Sequence, residues 1–163
     1  MSAISASQVK ELREKTGLGL MDCKKALEEA NGDIDLAIEE LRKTSGIKAS
    51  KKSGRSAADG LIGITNKDKD FFMIEVNCET DFVARDDSYI NFTKETLDTF
   101  SNNPSHSLEQ LLESGVEDNR EKLVQKLGEN IVVRRLAKSD EYYISCSYLH
   151  SNHKIGCIVS LEG

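Results

Sequence analysis

Residues 75–86, with the sequence EVNCETDFVARD, constrain the fold more than any other stretch of the chain. Apolar side chains alternate with others along residues 72–78, which is the period of a half-buried strand. The alternation stops at Glu79, and Thr80, Asp81 and Asp86 are residue types that commonly begin helices. Apolar residues at helical spacing follow. The sequence therefore predicts a strand, a tight polar corner and then a helix.

Phe82 lies inside this polar corner, where a large aromatic side chain is unusual. One interpretation is a plug that packs under the loop. The other is a knob that is offered to a partner protein. Because large aromatic residues are usually well buried, spacing alone favours the plug.

Two sequence runs resemble those of a known family. The run NCETDFVA at residues 77–84 is similar to a signature of the translation elongation factor Ts family, the nucleotide exchange factors of elongation factor Tu. The run ELREKTGLGLMDCKKAL at residues 11–27 is similar to the family's N-terminal signature. Both occur in the family's order and spacing, and the resemblance extends over the whole chain. It implies that the family's usual C-terminal part is missing.

The composition is that of a globular protein, with 38% hydrophobic and 31% charged residues. No apolar run approaches the length needed to cross a bilayer, and the N-terminus lacks the features of a signal peptide. We therefore expect a cytoplasmic protein without membrane contact. The net charge of −6 argues against dedicated nucleic-acid binding, because such proteins are usually basic.

Sequence motifs for metal binding or catalysis are not found. The four cysteines and three histidines do not have zinc-site spacing, so we predict no metal and no cofactor. The cysteines are expected to pack as small apolar thiols without disulfides. The chain has no phosphate-binding GxxxxGK[ST] loop and no GxSxG motif. We predict a protein that is not an enzyme and binds no nucleotide directly.

The predicted fold class is α+β, with four parts. Helical spacing and turn residues indicate three short helices in residues 1–45, and the resemblance implies a module similar to ubiquitin-associated domains. Residues 46–57 are interpreted as a basic linker, with a strip that touches RNA or an acidic partner as the alternative. Residues 58–138 are expected to form a first core subdomain, a hairpin with packed helices. Residues 139–163 are expected to begin a second, truncated core subdomain.

The predicted second helix begins at Leu20, which is placed on its inward face with Cys23 and Ala26. The preceding turn is short, so Leu18, Leu20 and Met21 cannot all point inward. At least one of them is therefore expected to be an exposed apolar contact.

The last third of the chain is predicted to be β-structure, with strands at residues 131–136, 142–149 and 154–161. If Ser151 and Asn152 form a two-residue hairpin turn, Cys146 lies directly opposite Cys157 on one face.

The resemblance implies a partner-binding role for residues Thr80, Asp81, Phe82 and Val83. In the family the Asp-Phe pair acts on elongation factor Tu. Phe82 is expected to wedge near the Mg²⁺ side of the nucleotide pocket, and Asp81 to contact the same switch helix. The expected result is loss of Mg²⁺ coordination and faster release of GDP.

Further contacts are implied by motif. Arg13, Leu20 and Met21 match the family's contact to the GTP-binding domain. Leu127 and Gly128 match a turn on the phosphate-loop side, although a plain helix stop explains them equally well. His150 matches a hairpin histidine that meets the partner, and is otherwise simply an exposed turn residue.

Two alternatives to exchange remain open. The chain could bind elongation factor Tu passively, without faster GDP release, because the C-terminal part is missing. It could also hold that partner in a stable state. A homodimer is a further expectation, since a second copy could cover an open strand edge.

Overall fold

The structure is a computed structural model that describes residues 4–139 and 144–162. It contains helices followed by antiparallel sheets, which confirms the predicted α+β class. The chain divides into two compact units. Unit one comprises the residues up to Gly54 together with Glu121–Glu129, and unit two comprises Arg55–Arg120 and the residues from Asn130 on.

Unit one is built on three helices: α1 (Ala6–Thr16), α2 (Leu20–Glu29) and α3 (Ile34–Lys52). Ser5 begins α1 with a capping box, and the Asp33 side chain accepts from the Leu36 backbone N–H to begin α3. Gly17, at φ 68°, ends α1. The apolar faces of the helices meet in one core, whose buried members are Val9, Leu12, Leu18, Cys23, Ala26, Leu27, Ala30, Ala37 and Leu41.

The predicted linker at residues 46–57 is wrong over much of its length, because α3 continues to Lys52. Ser45 and Ala49 are buried, and they extend the inward stripe of Leu41 at intervals of four residues. The Ser45 hydroxyl lies 2.6 Å from Gln125 Oε1, within unit one. Small residues at these positions allow close packing where bulky apolar residues are scarce. The four-part domain division as a whole stays a prediction.

Unit two contains a sheet with the strand order β1-β2-β3, all antiparallel. Its strands are β1 (Asp59–Lys67), β2 (Asp70–Cys78) and β3 (Val132–Lys138). Helices α4 (Asp81–Ala84), α5 (Asp87–Asn102) and α6 (Leu108–Leu111) follow β2, and a π-helical turn (Leu112–Val116) leads into α7 (Glu117–Leu127), whose last residues belong to unit one.

Helix α5 packs on one face of this sheet. Phe72 of β2 meets Phe100 of α5 edge to face, with ring centroids 5.3 Å apart. Gly63 leaves room for the same helix, since a Cβ built there would lie 3.2 Å from Leu97 Cδ2. The predicted hairpin and the predicted helix after the polar corner are both present. This packing fixes the end of β2, from which the corner begins.

Strands β4 (Ile144–Leu149) and β5 (Gly156–Leu161) form a second, two-stranded antiparallel sheet. The predicted two-residue turn is wrong, because residues 150–155 all lie between the strands. Cys146 therefore pairs with Val159, and Cys157 with Tyr148. The two cysteines still share a face, since the register differs from the predicted one by an even number of residues. Residues 142 and 143 of the predicted strand lie outside the described residues.

Candidate partner-binding surfaces

The corner after β2 is a single turn of helix with a defined cap. Thr80 has an extended backbone, and its hydroxyl accepts from the Val83 N–H at 3.4 Å. Ala84 is the buried member of α4, at 3% exposure. Residues two apart on a helix point roughly 200° away from each other, so Phe82 must face outward.

Phe82 is 83% exposed, the highest exposure of any large apolar residue in the described part of the chain. The plug interpretation, which spacing alone favoured, is therefore wrong. The ring is held on a capped turn and does not lie under the loop. Val83 beside it is half-buried, so that the turn presents one isolated aromatic group to solvent.

Hydrogen bonds hold the corner on both sides. The Cys78 thiol donates to the Thr80 carbonyl at 3.2 Å, and the Asp86 N–H donates to the Val83 carbonyl at 3.0 Å. Asp86 then begins α5 by accepting from the Ser88 N–H at 2.8 Å. The backbone of this turn thus has protein partners before and after Phe82, which limits how far the ring can move.

Asp81 pairs with Arg85 one turn later, with 2.9 Å between Oδ2 and the guanidinium nitrogen. Both side chains are substantially exposed, so this pair contributes little to stability. It leaves Asp81 at the surface beside Phe82. An acidic and an aromatic side chain therefore share one exposed turn.

The start of α2 carries a second exposed apolar surface, within unit one. Leu18 is buried, whereas Leu20 is 55% and Met21 73% exposed. The prediction that at least one of these residues is exposed is confirmed, and the inward placement of Leu20 is wrong. Arg13, on α1, is also exposed. A cation and two apolar side chains are thus available in this unit.

The turn at Leu127 and Gly128 ends α7, as the helix-stop interpretation predicted. Gly128 has φ 79°, and its N–H donates to the Val124 carbonyl at 2.9 Å. A Cβ built at Gly128 would meet no atom within 4 Å. The space beside this glycine is therefore open, and Leu127 is half-buried.

His150 is exposed at the start of the loop between β4 and β5, and its Nδ1 lies 2.7 Å from the Tyr148 hydroxyl. The loop is tied to β1 within unit two. The His153 carbonyl accepts from the Ile62 N–H at 2.7 Å, and Lys154 pairs with Asp59. The Lys154 ammonium, and then the Gly60 N–H, hold the pKa of the Asp59 carboxyl below its usual range.

The structure thus brings Thr80, Asp81, Phe82 and Val83 together on one turn of unit two, and places His150 on a tethered loop of the same unit. Arg13, Leu20, Met21, Leu127 and Gly128 belong to unit one. The tether from Asp59 to Lys154 was not predicted. These residues are far apart in the sequence and neither belongs to a motif, so no local signal points to the contact.

Two negative findings concern the described residues. They contain no group of three or more His, Cys, Asp or Glu side chains arranged to hold a metal ion. None of the helices within residues 4–139 and 144–162 has both the length and the apolar character needed to cross a membrane.

Comparison with known proteins shows which sequences this chain resembles. Residues 79–163 match the family model described as Elongation factor TS. The chain is 51% identical over 163 residues to a protein named Elongation factor Ts from Marinobacter nauticus, an alignment that covers 99% of this chain and 56% of the relative. A protein of the same name from Hahella chejuensis is 50% identical over 165 residues, covering 100% of this chain and 57% of the relative.

The matched proteins are all named as elongation factors. Within that class, the chain belongs to the elongation factor Ts family. It spans somewhat more than half the length of the curated relatives that it matches.

Proposed function

We propose that this chain is a guanine nucleotide exchange factor that binds elongation factor Tu with bound GDP and promotes release of the GDP. The observation that carries the proposal is the 83% exposure of Phe82 on a capped turn, inside the family's signature run. Aromatic anchors that enter a partner's pocket commonly dominate the binding energy of an interface. Phe82 has the chemistry and the exposure of such an anchor.

Nucleotide exchange requires a difference between two binding affinities of the factor. The factor speeds release only if it binds the nucleotide-free partner more tightly than the loaded one. This coupling is reciprocal, so tight GDP binding weakens binding of the factor by the same ratio. A residue that occupies space required by the GDP-bound form of the partner produces this difference in affinity directly.

In the proposed mechanism, Phe82 wedges near the Mg²⁺ side of the partner's nucleotide pocket and displaces a switch helix. Asp81 contacts that helix, while Thr80 and Val83 support the wedge from either side. Mg²⁺ requires near-octahedral geometry at short distances, so a small shift of its supports weakens its binding. Loss of the ion then weakens the hold on the GDP phosphates.

The other exposed groups supply affinity in this proposal. Leu20 and Met21 offer apolar contacts to the GTP-binding domain, with Arg13 as a charged neighbour. Open space beside Gly128 allows close approach of the partner near its phosphate loop, next to Leu127. His150 meets the partner from the tethered loop. In this proposal, residues 4–139 and 144–162 supply contacts to the partner and neither bind the nucleotide nor act as catalytic groups.

The test is stopped-flow release of a fluorescent GDP analogue from elongation factor Tu, with the chain in excess. Phe82→Ala is expected to lower the maximal release rate at least about tenfold, because truncation of an aromatic anchor costs about 2 kcal/mol or more. Leu36→Ala is the matched control, since Leu36 is also exposed and apolar but lies on α3. Equal release rates with the wild type and Phe82→Ala would reject the wedge.

The same experiment separates exchange from the alternative of a non-catalytic binding or holding module. Complex formation on a sizing column without faster GDP release supports a binding module. Protection of the nucleotide-free partner from aggregation, again without faster release, supports a holding role.

Self-association is a second proposal, which rests on the outward face of the β4–β5 hairpin. This hairpin face consists of side chains that are all exposed and uncharged: Ile144, Cys146, Tyr148, Cys157, Val159 and Leu161. A neutral apolar face suits a second copy of itself, since no like charges oppose each other. Sedimentation velocity of the wild type and Val159→Glu tests this homodimer.

We further propose that the chain acts in the cytoplasm.

A further inference from the structure

The residue that joins β2 to the corner has a role that its sequence context does not suggest. Glu79 lies between Cys78, the last residue of β2, and Thr80, the cap of α4. One of its carboxylate oxygens, Oε1, accepts from the Asn130 backbone N–H at 2.6 Å. The Arg55 guanidinium lies 3.4 Å from the same oxygen. Only 23% of the Glu79 side chain is exposed.

Asn130 closes this arrangement into a ring. Its side-chain Nδ2 donates to the Arg55 carbonyl at 2.8 Å, and the residue is 2% exposed. We call the residues Glu79, Asn130 and Arg55 the corner clamp. All belong to unit two, and Asn130 leads directly into Ile131 and β3. The clamp therefore joins the start of the aromatic corner to the third strand of the sheet.

The corner depends on such an anchor. Helix α4 has four residues, and a single helical turn has no stability of its own in water. A carboxylate that accepts from a buried backbone N–H makes a short, charge-assisted hydrogen bond. If the carboxylate is removed, that N–H loses its acceptor in a water-poor site.

From these contacts we propose that Glu79 is a positioning residue for exchange, which acts by holding the turn that presents Phe82. The proposal rests on the proposed function. Glu79 does not itself need to touch the partner. Its carboxylate fixes the direction in which the corner leaves the sheet, and so fixes where the aromatic ring meets the partner's pocket. A displacement of the order of 1 Å at such a ring is enough to reduce its effect strongly.

The first test separates the effect of the length of the Glu79 side chain from the effect of its charge. Glu79→Asp keeps the charge but withdraws the oxygen from Asn130. Glu79→Gln keeps an acceptor oxygen at the right length but loses the charge. We expect Glu79→Asp to lower the maximal rate of GDP release by about tenfold, as loss of one charged hydrogen bond implies. Glu79→Gln is expected to retain most of the wild-type rate. Wild-type release by Glu79→Asp, in a chain shown to be folded by circular dichroism, overturns the proposal.

A double-mutant cycle with Phe82→Ala distinguishes positioning from a general structural role. If Glu79 acts through the ring, Glu79→Asp adds no further loss in the Phe82→Ala background. If the two losses multiply, Glu79 acts elsewhere and the proposal is wrong. The double-mutant cycle also tests the positioning role of Glu79 separately from the wedge role of Phe82. An inactive Phe82→Ala beside a fully active Glu79→Asp rejects only the positioning role, whereas a fully active Phe82→Ala rejects the wedge itself.

Discussion

Ala84 and Phe82 lie on opposite sides of the same helical turn, with 3% and 83% of their surfaces exposed. The small residue packs against the rest of unit two and the large one faces solvent. This reverses the usual placement of apolar side chains by size. The turn is therefore built to display its larger side chain, which is the geometry expected of a contact residue.

The two sides of α4 should respond differently to mutation. Phe82→Ala is expected to change the free energy of unfolding by less than about 0.5 kcal/mol, because an exposed side chain loses no packing. Ala84→Leu is expected to destabilise by about 1–3 kcal/mol, since it overfills a packed site. Urea denaturation measures both. Equal destabilisation by the two changes would contradict the exposure of Phe82.

Tyr89 supports the corner from α5. It is fully buried, and its hydroxyl donates to the Val76 carbonyl at 2.6 Å. Burial raises the pKa of this phenol far above its usual value. Tyr89→Phe should lower the free energy of unfolding by about 0.5–1.5 kcal/mol, through loss of one buried hydrogen bond. Tyr148→Phe, at an exposed tyrosine, is the control in the same urea titration. A smaller cost at Tyr89 than at Tyr148 would be inconsistent with the hydrogen bond.

The tether between Asp59 and Lys154 predicts a pH dependence of the hairpin loop. Because Lys154 lowers the pKa of Asp59 in the folded protein, the tether stabilises the fold at neutral pH. This contribution is lost as the pH falls through the lowered pKa, below roughly pH 4. Lys154→Met should raise the pKa of Asp59 toward its usual range in a carboxyl titration by NMR. Lys67→Met is the control, since Lys67 contacts the Asn102 side chain. Identical Asp59 titrations in both variants would contradict the tether.

Gly128 allows the cost of a positive φ to be measured at a position where an added side chain would meet no neighbouring atom. Its φ of 79° disfavours any side chain, although a Cβ there meets no neighbour. Gly128→Ala should cost about 1–2 kcal/mol of stability from the left-handed backbone alone. Gly54→Ala is the control, because that position is equally open and has no positive φ. Thermal unfolding compares the two variants, and equal melting temperatures would argue against strain at Gly128.

The sequence was sufficient to predict elements whose signals are local. The alternation along β2 and the cap-type residues at the corner both correspond to observed structure. Each of these signals involves residues within one turn or strand of each other. These signals do not depend on tertiary contacts, so composition and spacing were enough to predict the corresponding elements.

The exposure of Phe82 could not be predicted from spacing, because a plug and a knob have the same local sequence. Which side of α4 packs inward depends on where the sheet lies relative to that turn. The resemblance to the family pointed to the knob, and the exposure agrees with it. Tertiary placement, rather than local propensity, decided between the interpretations.

The errors at α3 and at the last hairpin have the same kind of cause. Residues 46–52 contain lysines and small residues and little bulky apolar surface, so composition suggested a linker. Their helix is supported by buried Ser45 and Ala49, whose small side chains gave a weak signal at intervals of four. In the hairpin, the loop is longer than predicted, and contacts of His153 and Lys154 with β1 hold it. Such contacts between distant residues leave no local pattern.

The neutral hairpin face has a practical consequence for solution work. Salt screens attraction and repulsion between exposed charges, but a surface without charges has nothing to screen. Sulfate and other strongly hydrated salts instead strengthen apolar association, because they are excluded from protein surfaces. Precipitation by ammonium sulfate should therefore begin earlier for the wild type than for Val159→Glu, and the difference should widen as the protein concentration is increased.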